Sequence, residues 1–377
     1  MPEIFSTPFG NFELSRYPLR KRELLRAWDA ADEYVLNHLN EQHLPQVGQR
    51  MLVVNDQFGA LSVALHQFSP HLLSDSYIAT LACTENNSHN QQPKTLQFNS
   101  VEPLEGLYDL VVIKVQKSLS QLEDLLYKLR PHLHKDSVIV GCAMAKMIHT
   151  STLDLFTKLI GDTRTSLAVK KARLIFATFN PALDVGASPY PIHYQLESHG
   201  IDITNHASVF SRNKLDIGSR FFIEHLPSDE RYRTIVDLGC GNGVIGLIAA
   251  IKNPAAKVDF YDESFMAVES AKCNMQAHFD GQSNATFNIS DCLDGVAANS
   301  ADLILNNPPF HQQNTIGDYI AKKMFRQSLS VLRPGGELWV IGNRHLGYQS
   351  VLKKLFGNVR QVAANKKFVI LCASKTR

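Results

Sequence analysis

The run Asn307-Pro308-Pro309-Phe310 closes an apolar stretch, Asp302 to Asn306, and its residue types suit one kind of chemistry. Two prolines stop a strand and fix the following loop at the carboxyl edge of a sheet, where doubly wound folds bind ligands. An exocyclic amine on a conjugated ring is a poor nucleophile, because its lone pair is delocalised. If the Asn307 side-chain oxygen and the Pro308 carbonyl accept its two N–H groups, the nitrogen is held pyramidal with its lone pair aimed at an electrophile. Such catalysis is orientation and proximity, with no strong base required for the attack. Phe310 offers a stacking surface for a flipped-out base. Alone, an Asn-Pro-Pro step is only a tight turn. What raises it is its place after a fourth strand, in register with a glycine-rich first turn.

That turn is Asp237-Leu238-Gly239-Cys240-Gly241-Asn242-Gly243. Glycines there let the backbone approach a ligand closely. Gly241, Gly243 and Gly246 also satisfy GxGxxG, and Asp262 follows where the ribose acid of a nicotinamide site would stand, so hydride transfer is a competing reading. Asp237 argues against it, since a carboxylate in the turn repels a pyrophosphate but suits a sulfonium ligand carrying an ammonium group. The expected cofactor is therefore S-adenosylmethionine, bound by Asp237, Gly239, Gly241, Gly243, Asp262 and Asp291. Asp262 can accept both ribose hydroxyls and Asp291 the adenine amino group. Phe265 or Met266 either covers the adenine or packs in the core. The segment His206 to Phe222 either folds over the site, with Phe210 near the base and Asp216 or Gly218 near the methionine end, or is a plain amphipathic lead-in helix. His311, Arg344 and His345 stand beside strand ends. Basic clusters occur at Arg20-Lys21-Arg22, at Lys170-Lys171 with Arg173, and at Lys322-Lys323 with Arg326. Such runs are either phosphate contacts or solvated faces.

The elements that must position these residues alternate strand and helix, which implies α/β architecture with parallel pairing and right-handed crossovers. From Thr234 the order is strand, glycine turn, helix, strand ending at Asp262, helix from Phe265, strands before Asp291 and Asn307, a helix to Leu332 and a strand from Glu337. VRQVAANKKFVILCAS then predicts two strands turning at Asn365 to Lys367, an antiparallel pair at the sheet edge. The N-terminal half repeats this order, with RMLVVNDQFGALSVAL, SDSYIATLACTENN, TLQFNS and YDLVVIKVQKS. Setting the copies side by side places Asp237, Gly239, Gly241 and Gly243 against Asn55, Gln57, Gly59 and Leu61, and Asn307 to Phe310 against Lys114 to Lys117. It also pairs Asp262 with Asp75. The expected fold is two tandem Rossmann-like methyltransferase domains: a degenerate one over 1–185, structural or RNA-binding, and a catalytic one over 190–377. Asp56 and Asp75 would serve the other reading, a second working cofactor site. NPALDVGASPYP breaks regular structure between them, followed by a hairpin turning at His199-Gly200.

The chain has 377 residues, enough for two cores, with 44% hydrophobic and 20% charged residues and no low-complexity segment. Its net charge of +2 is too small to announce a nucleic-acid partner. Six cysteines lack any CxxC or Cys/His cluster, so neither a disulfide framework nor a metal site is expected. No stretch approaches the roughly 20 apolar residues of a membrane span, and no signal peptide is apparent. A cytoplasmic protein without membrane or metal partners is expected.

WDAADEY, NDQFGALS, HTSTLDLF, VFSRNKLDIGSRFF, VDLGCGNGVIGL, NNPPFHQQ and GNRHL together resemble the bacterial ribosomal RNA guanine-N2 methyltransferases, a family with a duplicated architecture. The likeness runs close to full length, and NDQFGALS and HTSTLDLF are of the large-subunit type. It implies 23S ribosomal RNA as partner, S-adenosylmethionine as donor and one guanine methylated at N2. It also implies that Asp237 to Gly243 and Asp262 hold the cofactor while Asn307 to Phe310 hold the guanine. The loop alone does not separate guanine N2 from adenine N6 or glutamine N5, and a small-subunit RNA is the nearest alternative substrate.

Overall fold

The computed structural model describes residues 2–19, 23–309 and 315–376, the last without the side chains of 315–318. The chain divides into two compact units, Met1–Tyr190 and Pro191–Arg377. Both are built from the same elements in the same order.

In the first unit a hairpin of β1 (Glu3–Thr7) and β2 (Gly10–Leu14) precedes α1 (Ala30–Glu41). There follow β3 (Met51–Val54), α2 (Ala60–Ala64), β4 (His71–Ser74), α3 (Tyr77–His89), β5 (Leu96–Asn99), β6 (Tyr108–Lys114), α4 (Leu119–Leu129), β7 (Leu133–Met144), α5 (Thr150–Leu159), β8 (Thr163–Thr165) and β9 (Ala172–Thr178). The second unit has a hairpin of β10 (Ile192–Leu196) and β11 (Ile201–Asn205), then α6 (Ile217–Glu224), β12 (Thr234–Leu238), α7 (Val244–Lys252), β13 (Lys257–Asp262), α8 (Phe265–His278) and β14 (Ala285–Ile289). It ends with β15 (Ala301–Asn306), α9 (Thr315–Val331), β16 (Leu332–Asn343), α10 (Tyr348–Phe356), β17 (Arg360–Ala364) and β18 (Phe368–Ser374).

Each unit holds one seven-stranded sheet, ordered β5-β4-β3-β6-β7-β9-β8 in the first and β14-β13-β12-β15-β16-β18-β17 in the second. Five strands of each run parallel, and the last two strands of each pair antiparallel, as the terminal hairpin predicts. The central strands are apolar on both faces because helices cover both. In the second unit Ile235, Leu303, Leu305 and Ile341 pack with α7 on one side. Val236, Ile304, Leu338 and Val340 pack with Phe325 of α9 on the other, as period-two alternation demands.

The structure corrects the comparison of the two copies. Gly243 and Gly59 are the left-handed residues that open α7 and α2, at φ 74° and 78°. Gly59 therefore answers Gly243, Gln57 answers Gly241, Asn55 answers Gly239 and Val53 answers Asp237, two residues away from the sequence pairing. Leu61 is not a turn residue but lies buried inside α2. Likewise Ser264 and Ser76 are the N-caps of α8 and α3, accepting from the N–H groups of Ala267 and Ala79. This pairs Asp262 with Ser74 and Glu263 with Asp75. The Asn307–Lys114 equivalence stands, since Asn306 and Ile113 hold matching positions beside Leu238 and Val54.

Candidate active site

Parallel pairing of β12 with β15 sets Leu238 opposite Asn306, so the glycine turn and the Asn-Pro-Pro loop leave the sheet side by side at its carboxyl edge. The turn bends sharply, with Gly239, Gly241 and Gly243 all at positive φ (71°, 55° and 74°). Two of its glycines are needed for different reasons. A Cβ on Gly243 would fall 2.6 Å from the Ala271 Cβ of α8, so this residue lets the helix pack. One on Gly241 would meet nothing within 4 Å, which leaves an open side for a ligand.

Asp237 is buried at the end of β12, and its Oδ2 accepts the Gly246 N–H at 2.8 Å in the first turn of α7. Its Oδ1 is buried with no donor among the described residues. Burial pushes its carboxyl up to about 8, against the pull of the Gly246 N–H and with a push from Asp262. A cation brought to Oδ1 would restore the charged form. Asp262, at the end of β13, accepts the Gly241 N–H at 3.0 Å on one oxygen and the Ser264 N–H at 3.0 Å on the other. A carboxylate at this strand end has the acceptor chemistry that suits ribose hydroxyls. Asp291 is buried beside Lys323 of α9, whose Nζ lies 2.7 Å from its Oδ2, and an adenine amino group would share this carboxylate with that lysine.

Asn307 donates from Nδ2 to the Ser219 hydroxyl at 3.1 Å, and its own Oδ1 is buried with no donor among the described residues. Asn306 donates to the Leu238 carbonyl at 2.8 Å, and its Oδ1 is likewise unmatched, as is that of Asn343 at the end of β16. An unmatched buried acceptor costs about 1–3 kcal/mol. The carboxyl edge thus collects four of them, including Asp237, which is the chemistry of a site that receives N–H donors. Pro308 and Pro309 follow as predicted, while Phe310 and His311 lie outside the described residues, as do Arg20, Lys21 and Arg22.

Other sequence expectations resolve locally. Asp216 caps α6 through the Ser219 N–H, and Gly218 leaves room for that cap, so this stretch is a lead-in helix that also delivers Ser219. Phe210 is 67% exposed. Met266 is buried. Arg344 donates to the Asn365 carbonyl, and Lys170 pairs with Glu33. Sequence reasoning missed Ser219, although it lies inside the quoted VFSRNKLDIGSRFF; its signal would have been a small hydroxyl one turn into a capped helix.

In the first unit the same edge is filled. Lys114, at the Asn307 position, places Nζ 2.6 Å from Asp32 and 3.4 Å from Asp29, the first-turn and capping residues of α1. Asp32 and Asp29 correspond to Ser219 and Asp216. Burial raises the Asp32 carboxyl to about 6 despite Lys114, and burial disfavours the lysine's charge too, but Asp32 and Asp29 outweigh it and keep the lysine charged. Asp56, buried in the turn, accepts the N–H groups of Leu61 and Ser62. Ser62 is the counterpart of Gly246, so Asp56 does for α2 what Asp237 does for α7.

The chain matches the RLMG N-terminal domain over residues 2–181 and the methyltransferase small domain over residues 200–372. It is 47% identical to a Streptomyces coelicolor protein named ribosomal RNA large subunit methyltransferase G, covering 98% of this chain and all of that one. An Aeromonas salmonicida protein of the same name is 46% identical over the full length of both. The chain belongs to the ribosomal RNA large subunit methyltransferase G family. Among solved structures, a T. thermophilus 16S rRNA N2 methyltransferase in complex with AdoMet and guanosine superposes with a TM-score of 0.76 at 20% identity, covering all of this chain and 98% of that one. That likeness establishes the fold, a methyltransferase sheet in the second unit with the antiparallel strands at its edge. Among the described residues no helix is long and apolar enough to cross a membrane, and no group of three or more His, Cys, Asp or Glu is placed to hold a metal ion.

Proposed function

We propose that the second unit transfers a methyl group from S-adenosylmethionine to the N2 amine of one guanine in 23S ribosomal RNA, in the cytoplasm. The observation that carries this reading is the Asn307 side chain: its donor is held by Ser219 and its buried Oδ1 has no donor among the described residues, nor has the buried Oδ1 of Asp237 in the adjacent glycine turn. The relatives' names supply the ribosomal large subunit, and the amine follows from the acceptors.

The donor fits the residues present. Asp237 has, among the described residues, the unmatched acceptor that an ammonium group needs, Gly241 leaves an open face, and Asp262 sets a carboxylate against the turn. When bound, S-adenosylmethionine supplies a methyl group already activated on a sulfonium. The protein's part is orientation. Asn307 Oδ1 and the Pro308 carbonyl take the two N–H groups of the target amine and turn its lone pair out of conjugation. Holding Asn307 by Ser219 fixes which end of the amide faces the base. The amine loses its proton after attack, so no residue need act as a strong base.

The first unit serves as a non-catalytic partner domain, supporting the fold or gripping RNA. Lys114 in place of Asn307 puts an ammonium donor, paired with Asp32 in place of Ser219, where the target amine would need an amide acceptor.

The test is to incubate the protein and labelled donor with 23S ribosomal RNA from a strain lacking the enzyme, then identify the labelled nucleoside by mass spectrometry. N2-methylguanosine at a single site is expected. Label in adenosine, in a protein glutamine or only in 16S RNA would overturn the assignment.

A further inference from the structure

The two copies share one side-chain clamp and differ in another, and the difference singles out residues that no motif contains. In both units the tenth residue of the helix after the second strand is a buried asparagine that pins the N-terminal hairpin to the first turn. Asn274 donates to the carbonyls of Thr204 and Asn242 and accepts the Thr204 N–H at 2.7 Å. Asn86 donates to the carbonyls of Ser15 and Phe58 and accepts the Ser15 N–H at 2.9 Å. Thr204 answers Ser15, and Asn242 answers Phe58. This clamp survives in a unit without the catalytic loop, so it belongs to the fold.

The neighbouring contact does not survive. In the second unit Asn205, wholly buried at the end of β11, accepts from Asn242 Nδ2 at 2.8 Å, and the Tyr194 hydroxyl of β10 lies 3.2 Å from the same Nδ2. Asn242 Oδ1 accepts the Val244 N–H at 3.2 Å, at the start of α7. All the hydrogen-bonding capacity of that amide donor is thus used to hold the one non-glycine residue between Gly241 and Gly243. In the first unit the corresponding positions are Arg16 and Phe58, with the guanidinium stacked 4.5 Å over the ring. A turn with three glycines samples many backbone states, and each must be given up when a ligand binds. A side-chain lock from outside the turn removes that cost in advance.

Resting on the methyl-transfer reading, we propose that Asn205 and Tyr194 are positioning residues for the methyl donor, acting through Asn242 to hold the glycine turn in its binding shape. They touch neither donor nor base. Asn274 maintains the hairpin; Asn205 and Tyr194 set the turn.

The experiment measures S-adenosylmethionine and S-adenosylhomocysteine binding by calorimetry, donor KM and kcat at saturating RNA, and thermal unfolding. The variants are Asn205→Ala, Tyr194→Phe and the double exchange Asn205→Arg with Asn242→Phe, which installs the pair the first unit already accommodates. Asn205→Ala is expected to weaken donor binding and raise donor KM tenfold or more with kcat within twofold, Tyr194→Phe severalfold, and the exchange to abolish binding in a folded protein. Wild-type donor affinity in folded Asn205→Ala or in the exchange would overturn the inference, as would a kcat loss with unchanged donor KM. If Asn205→Ala does not fold, Tyr194→Phe decides by the same criterion. A wild-type chain that binds neither ligand would instead overturn the methyl-transfer reading on which the inference rests.

Discussion

Lys114 Nζ lies 2.6 Å from Asp32 Oδ1 in the first unit, at the place where Asn307 Nδ2 lies 3.1 Å from Ser219 Oγ in the second. One fold position is a buried ion pair in one copy and an amide held by a hydroxyl in the other. Breaking a buried pair by removing one partner costs about 3 kcal/mol or more, because the remaining charge stays desolvated. Lys114→Met is therefore expected to destabilise the first unit by roughly that amount. Adding Asp32→Asn, which keeps the acceptor for the Asp29 N–H, should recover most of it. The two tryptophans, Trp28 and Trp339, lie one in each unit, so fluorescence of single-tryptophan variants in denaturant reads each unit separately.

Asn307→Ala removes the side chain that orients the amine. The expected loss is about 10²–10³-fold in kcat, the range for deleting one preorganised polar group. Donor affinity measured by calorimetry should stay within about twofold of wild type, since the change touches only the transition state. A large loss of donor affinity instead would move Asn307 into the donor site.

Asp237 gives the second unit a signed pH dependence. Its folded carboxyl titrates near 8 and its reference value is 3.8, so between those limits the native state binds more protons than the unfolded one. Its contribution to stability is full below the lower value and is lost as pH rises through the upper one. Denaturation followed at Trp339 should show the second unit weakening from pH 5 to pH 8, and Asp237→Asn should flatten that slope.

The same carboxyl predicts proton release on donor binding. A cation at Oδ1 favours the ionised form, so at pH 7 the bound complex sheds the proton that the free protein carries. Calorimetry in buffers of different ionisation enthalpy measures the number, and Asp237→Asn should reduce it.

Two glycines should separate packing from binding. Gly243→Ala drives a Cβ to 2.6 Å from the Ala271 Cβ and 2.9 Å from its Cα, and should destabilise the second unit strongly. Gly241→Ala meets no atom and carries only the left-handed backbone penalty of about 1–2 kcal/mol. Its larger effect should be on donor affinity, by equilibrium dialysis.

Much of this was legible in the sequence because it is periodic. The apolar strands, the glycine turn and the terminal β17–β18 pair each carry a local signature, and Asn307 is marked by the two prolines behind it. The register between the copies was not, because polar Asn55 invites comparison with Asp237, whereas strand pairing and the Gly59 and Gly243 helix starts fix it two residues away. The β1–β2 hairpin was also missed; its five-residue strands are largely exposed and are held by Asn86, 71 residues from the Ser15 N–H that it binds. Ser219 and Asn205 are ordinary residues whose value comes from what the fold brings to them.

The Lys114–Asp32 pair also bears on reversal. Placing Asn at position 114 alone leaves the Asp32 carboxyl buried without its counterion, and placing Ser at position 32 alone leaves the lysine only the longer contact to the exposed Asp29. Each single step back crosses a less stable protein, whereas drift among exposed positions does not. The first unit is thus held in its present state by coupled residues, and opening an amide acceptor at this edge would need both changes together.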